Sequence, residues 1–141
     1  MSTTPSLDLT RIQKIRESTL DDLNDPNYVE NLILFLGFNN DLLHEQPAIV
    51  KEHTGGLYIW QYPNQFSKYL IFLQSLLKTQ TIVSYIEIGC RWGGTFILTL
   101  EYLKRFCLIR KAVAVDIIES PVIDYIDQEN QRIPRQMTRL E

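Results

Sequence analysis

The stretch SYIEIGCRWGGTF, Ser84 to Phe96, constrains this chain more than any other. Ile82, Ile86 and Ile88 fall on one face of an extended run while Val83 and Tyr85 fall on the other, as in a strand inside a parallel sheet covered by helices. The run then closes on an acid and three glycines, Gly89, Gly93 and Gly94. A helical pattern follows from about Thr95 to Phe106, with Phe96, Leu100 and Leu103 inward and Glu101 and Arg105 one turn apart on the outside. KAVAVDI is a second continuous apolar strand. Strand, glycine turn, helix and strand make a βαβ unit with a right-handed crossover. The fold class is therefore α/β, and the turn brings the unpaired N–H groups and positive dipole end of a helix to the carboxyl edge of the sheet, where open α/β sheets bind ligands.

The chain changes character near Gly55-Gly56, and before that point its pattern is helical. Ile12, Ile15, Thr19 and Leu23 recur at helical spacing. Asp25 and Pro26 read as the N-cap and first residue of a second helix, which carries Val29, Leu32, Ile33 and Leu36 on one face and stops at Gly37. NNDLLHEQP reads as one short helical turn ended by Pro47. LYIWQYP is β-rich but closed by Pro63, and Asn64 is placed to cap a helix whose apolar positions are Phe66, Tyr69, Leu70, Leu73 and Leu77. Ser120 and Pro121 read as the start of a last helix, SPVIDYIDQENQR. The predicted division is a helical segment over 1–55, serving as a cap or dimerisation element, and a partial parallel-sheet domain over 56–141.

Composition removes several function classes. With 141 residues, 45% of them hydrophobic, the chain has material for one globular core. A net charge of −3 with dispersed positive residues lacks the basic stripe that nucleic acid rewards. No apolar run approaches the ~20 residues that span a bilayer, and the first residues carry no apolar leader, so the expectation is a soluble, cytoplasmic chain without membrane partners. Cys90, Cys107, His44 and His53 show no metal-ligand spacing, and no metal is expected. Arg132, Arg135 and Arg139 make the tail basic, which reads as a solvated surface.

The residues between the glycines discriminate the ligands of such a turn. A P-loop needs lysine after its last glycine to reach the phosphates; Thr95 stands there, which removes the nucleoside triphosphate reading. A dinucleotide turn needs a glycine two residues after the first to admit pyrophosphate; Arg91 stands there and disfavours NAD, although Asp116 lies near the distance of a ribose-binding acid.

The third pattern is E-x-G-x-x-x-G-G-T followed by an acid at the end of the next strand, met by Glu87, Gly89, Gly93, Gly94, Thr95 and Asp116. In these residues the chain resembles the class I S-adenosylmethionine-dependent methyltransferases, in the branch often found with sugar or small-molecule hydroxyl substrates. The resemblance implies a partial Rossmann-like sheet that binds S-adenosylmethionine. Glu87, Gly89 and Gly93 would cradle the methionine part, Gly94 would belong to the same cofactor site, and Asp116 would hold the ribose hydroxyls. Gln61, in IWQYP, is similar to the stretch preceding the first motif of that branch. Most members of the wider class carry glycine where Arg91 stands. The chemistry suits the residue types: the cofactor's amino and sulfonium groups are cationic, and a carboxylate accepts from two vicinal hydroxyls. Trp60 and Trp92 read either as stacking surfaces for a ligand or as packing anchors.

The resemblance runs from about Gly56 to Ile118 and covers only the opening strands of the larger sheet. Two expectations follow. The first is the cofactor-binding half of a methyltransferase acting on a small-molecule acceptor, truncated before the strands that would supply acceptor site and base. The second is a non-catalytic βαβ interaction module, or a decayed fragment, that pairs its exposed sheet edge with a partner or a second copy. Two parallel strands leave edges unpaired and one sheet face thinly covered in either case.

Overall fold

The computed structural model describes residues 7–116 and the two strand segments 122–126 and 132–136. It is a mixed α/β structure. A 3-10 turn at Thr10–Ile12 runs into α1 (Gln13–Glu17), and a second at Asp22–Asn24 precedes α2 (Pro26–Leu36). After α3 (Leu42–Glu45) and a 3-10 turn at Lys51–His53 come α4 (Pro63–Leu76), β1 (Ser84–Ile88), α5 (Gly94–Lys104) and β2 (Lys111–Val115).

The helix predicted through Ile12, Ile15, Thr19 and Leu23 is instead two short pieces. Ser18 turns extended, with ψ 146. Its hydroxyl donates to the Lys14 carbonyl at 2.6 Å, so the Tyr28 hydroxyl 2.7 Å away donates to Ser18. The Thr19 hydroxyl accepts from the Asp22 N–H at 3.0 Å and starts the next turn. Short hydroxyl side chains offer the backbone these local bonds in place of helical ones. Ile12, Ile15 and Leu23 still reach the core, each 3% exposed or less.

α2 forms as its sequence demands. Asp25 caps it by accepting from the Asn27 N–H at 2.9 Å, Pro26 opens it and Gly37 closes it. Val29, Leu32, Ile33 and Leu36 are buried against α4, and each such side chain contributes roughly 1.5–3 kcal/mol on leaving water. α4 opens one residue before the predicted cap: Pro63 is the first helical residue, Tyr62 is the N-cap without a side-chain bond, and Asn64 lies inside the first turn. The fixed φ of proline prepares that position for helix, so no cap is needed to start it. Tyr69, predicted as a core position of this helix, is 43% exposed.

The chain between α2 and α4 is held by backbone bonds. Phe38 bridges both Thr54 and Ile59, the Leu57 N–H donates to Leu36 O at 2.9 Å and the Ile59 N–H to Gly37 O at 3.1 Å. Leu57 and Ile59 are fully buried by this arrangement, which sets the exit direction of Trp60 and Gln61.

α5 is bound to the N-terminal segment by charge. Glu101, predicted to pair with Arg105 on the outside, is 6% exposed. It accepts from Arg16 Nε and Nη2, both at 3.1 Å. Arg105 donates to the carbonyls of Ile15 at 2.6 Å and Ser18 at 2.7 Å, where α1 ends. The i,i+4 spacing permitted a local pair, but the carbonyls left open at a helix C-terminus and a facing guanidinium compete for the same groups.

β1 and β2 pair in parallel, Ser84 beside Lys111 through Ile88 beside Val115. Tyr85 stacks on Phe96 of α5 with ring centroids 5.7 Å apart, and Ala114 on the same face is 4% exposed. The opposite face is not covered as a central strand would be: Ile86 is 61% and Ile88 80% exposed. The helix predicted from Ser120 is also corrected. Ser120 and Pro121 lie outside the described residues, but β3 (Val122–Ile126) and β4 (Arg132–Gln136) pair antiparallel, with Asp124 opposite Pro134. The β-branched and aromatic residues of VIDYI favour an extended chain, and proline is tolerated because each strand of a two-stranded ladder is an edge.

Candidate functional site

The parallel pairing brings the two predicted acids to neighbouring strand ends. Glu87 is the fourth residue of β1 and pairs with Ala114, two residues before Asp116. At the close of β1 the Gly89 N–H donates to Val115 O at 2.7 Å, which keeps the strands together into the turn. The Arg91 N–H then donates to Asp116 Oδ2 across the sheet edge. No side chain caps the N-terminus of α5, whose N-cap is Gly93 at φ 92.

The three glycines do different work. Gly89 has φ +77, and a β-carbon there would meet nothing within 4 Å. Gly94 is a packing residue: a β-carbon would sit 1.9 Å from the Leu57 carbonyl oxygen, so this glycine allows α5 to start against the 57–59 segment. Arg91 takes φ 50 without being glycine, at a cost of about 1–2 kcal/mol. Its guanidinium lies 4.4 Å from the ring centroids of both Trp60 and Trp92, and two such stacks near the surface return about 0.5–1 kcal/mol each. The contact with Asp41 at 3.8 Å joins two exposed groups and adds little. The tryptophans therefore stack on the chain's own arginine.

Beside β1 lies an open pocket of about 350 Å³, lined by Gln61, Gln65, Phe66 and Tyr69 from the α4 side, Tyr85 and Glu87 from β1, and Thr95 from α5. This is within the size of small-molecule sites, roughly 300–1,000 Å³. Glu87 is half-buried there. Its Oε1 accepts from the Tyr85 hydroxyl at 3.0 Å, while Oε2 is buried with no hydrogen-bond partner. Burial raises the Glu87 carboxyl above the ordinary glutamate range, and the Tyr85 bond opposes that rise only in part. The Tyr85 hydroxyl is raised too, by burial and then by the Glu87 charge. A half-buried carboxylate with a vacant acceptor favours a cationic group of a ligand. Cys90, in the turn, is pushed up to about 11 by burial and then by Asp116 and Glu87. It is a neutral thiol near pH 7 and a poor nucleophile.

Of the predicted site residues, Glu87, Gly89, Gly93, Gly94 and Asp116 all cluster at this edge, and only Glu87 lines the pocket. Gln61 lines it as well. Thr95, the last residue of the motif, lines it too, whereas Gln65 and Tyr85 were not legible as site residues, since their meeting depends on how α4 lies beside β1. Among the described residues no helix is long and apolar enough to cross a membrane. Comparison with known proteins finds no match, whether to a protein-family model, a curated protein or a solved structure.

Proposed function

We propose that the chain is the cofactor-binding part of a class I, Rossmann-like methyltransferase that takes S-adenosylmethionine and serves a small-molecule or sugar hydroxyl acceptor. The observation that carries this reading is Glu87 Oε2, a buried acceptor without a partner at the wall of a 350 Å³ pocket, with Asp116 at the adjacent strand end. The donor set fits the ligand. Glu87 would hold a cationic part of it, the open side of Gly89 would admit it close to the backbone, and Asp116 would accept from the ribose hydroxyls. When bound, S-adenosylmethionine supplies a methyl group activated by a sulfonium. The chain's own residues would bind and orient it, since methyl transfer is mainly a matter of alignment.

Calorimetric titration with S-adenosylmethionine, with NAD as control, tests the reading. Saturable binding of the first ligand only, lost in Asp116→Ala and Glu87→Gln, is expected. A folded chain that binds neither ligand, or binds NAD, overturns it.

The exposed face of Ile86 and Ile88 favours a second reading, a non-catalytic βαβ module that pairs with another copy of itself. Sedimentation at rising concentration separates the two: a ligand-free dimer with no affinity for S-adenosylmethionine supports the module.

A further inference from the structure

Residue 91 joins the two strand ends. Its N–H donates to Asp116 Oδ2, its backbone lies at φ 50, and its guanidinium carbon is 4.4 Å from each of two indole rings. A residue with a β-carbon leaves the left-handed region unless its surroundings hold it there. The holding groups come from separate parts of the chain. Trp60 follows the segment bonded to the end of α2, Trp92 is the next residue in the turn, and the Asp41 carboxylate approaches the same guanidinium at 3.8 Å. The direction of the Arg91 N–H follows from the backbone angles of the turn, so the stack that holds those angles also acts on where the Asp116 carboxylate rests.

We propose that Arg91 is a positioning residue: clamped between Trp60 and Trp92, it holds the turn so that its amide orients the Asp116 carboxylate toward the vicinal hydroxyls of a nucleoside. The inference rests on the reading of Asp116 as the hydroxyl acceptor. It also accounts for an arginine at a position whose backbone suits glycine. Glycine would reach φ 50 freely and leave it as freely; the aromatic clamp exchanges that freedom for one fixed orientation.

The test uses the full chain and adenosine, which carries the diol without the methionine part. Titration calorimetry reads affinity, and the amide resonance of residue 91, with its hydrogen exchange, reads the bond to Asp116. In the wild type that amide is expected downfield and protected, and Asp116→Ala, which removes the acceptor, abolishes both properties. Trp60→Leu leaves Arg91 and Asp116 in place, yet is expected to move the amide and weaken adenosine about two- to fivefold. Arg91→Ala, which loses the clamp and keeps a β-carbon, is expected to weaken adenosine more than Arg91→Gly, which loses the clamp alone. Equal losses in Arg91→Ala and Arg91→Gly would assign the guanidinium to the ligand itself and overturn the proposal. An amide and an affinity both unmoved in Trp60→Leu would overturn it as well. If the wild type binds no adenosine while its amide still moves in Trp60→Leu, the nucleoside reading of Asp116 fails and the clamp stands.

Discussion

α2 and β1 carry the same kind of side chain and meet opposite fates. Val29, Ile33 and Leu36 of α2 are fully buried, whereas Ile88 of β1 is 80% exposed. The helices from Leu7 to Leu77 and α5 share one continuous core, in which α2 lies against α4 and α5 touches both α1 and α4. The parallel sheet contributes one face to the covered side and leaves the other open. Stability therefore resides in the helical layer, while the candidate site sits at the end of a sheet that the helices only half support. That division is useful chemically. A carboxylate such as Glu87, poorly solvated and incompletely bonded, is tolerated where a rigid neighbouring core over-determines the fold.

The largest expected effect comes from the core. Leu36→Ala should cost about 2–5 kcal/mol in denaturant unfolding, because α2 and α4 cannot close over the cavity without moving. A loss below about 1 kcal/mol would mean that the helical layer is not the stabilising one.

The glycine turn should divide in the same way. Gly94→Ala drives a β-carbon against the Leu57 carbonyl and is expected to destabilise by about 1–3 kcal/mol or more. Gly89→Ala meets no atom, so its cost is conformational, about 1–2 kcal/mol, and its loss of ligand affinity should exceed its loss of stability. Equal stability losses in the two variants would merge the packing glycine with the ligand-facing one.

A third outcome concerns pH. Burial raises the Glu87 carboxyl, so between the ordinary glutamate range and this raised value the folded chain keeps a proton that the unfolded chain has released. Stability is then highest below the ordinary range and falls as pH rises through the raised value. Glu87→Gln, neutral throughout, is expected to exceed the wild type in stability near pH 8 and to match it below about pH 4. Binding of a cationic ligand should run the other way, weakening as pH is lowered through the raised value. A wild type and a variant with parallel pH–stability curves would remove Glu87 from the list of strained groups.

The smallest effect sharpens the comparison from the other side. Ile88→Ala should change stability by no more than about 0.5 kcal/mol, as expected of an exposed position. A core-like loss, growing with protein concentration, would show that this face is covered in solution by another copy.

The sequence by itself determined the local elements whose signals are local. Asp25, Pro26 and Gly37 bound α2 because caps and proline act within a turn, and the apolar runs around Ile86 and Val113 became strands because nothing interrupts them. The spacing from Gly93 to Asp116 was enough to set both acids at one sheet edge, since a parallel βαβ unit leaves few alternatives. Tertiary structure decided the rest. Whether Glu101 met Arg105 or Arg16 depended on which helix end lay opposite, and Ser18 broke a periodic helix because Tyr28 was there to complete its bonds. VIDYI read as helix behind Ser120 and Pro121, and pairing with Arg132–Gln136 made it a strand instead. The Trp60–Arg91–Trp92 clamp and the unpartnered oxygen of Glu87 arise from contacts between segments far apart in the chain, and periodicity along a sequence carries no record of such meetings.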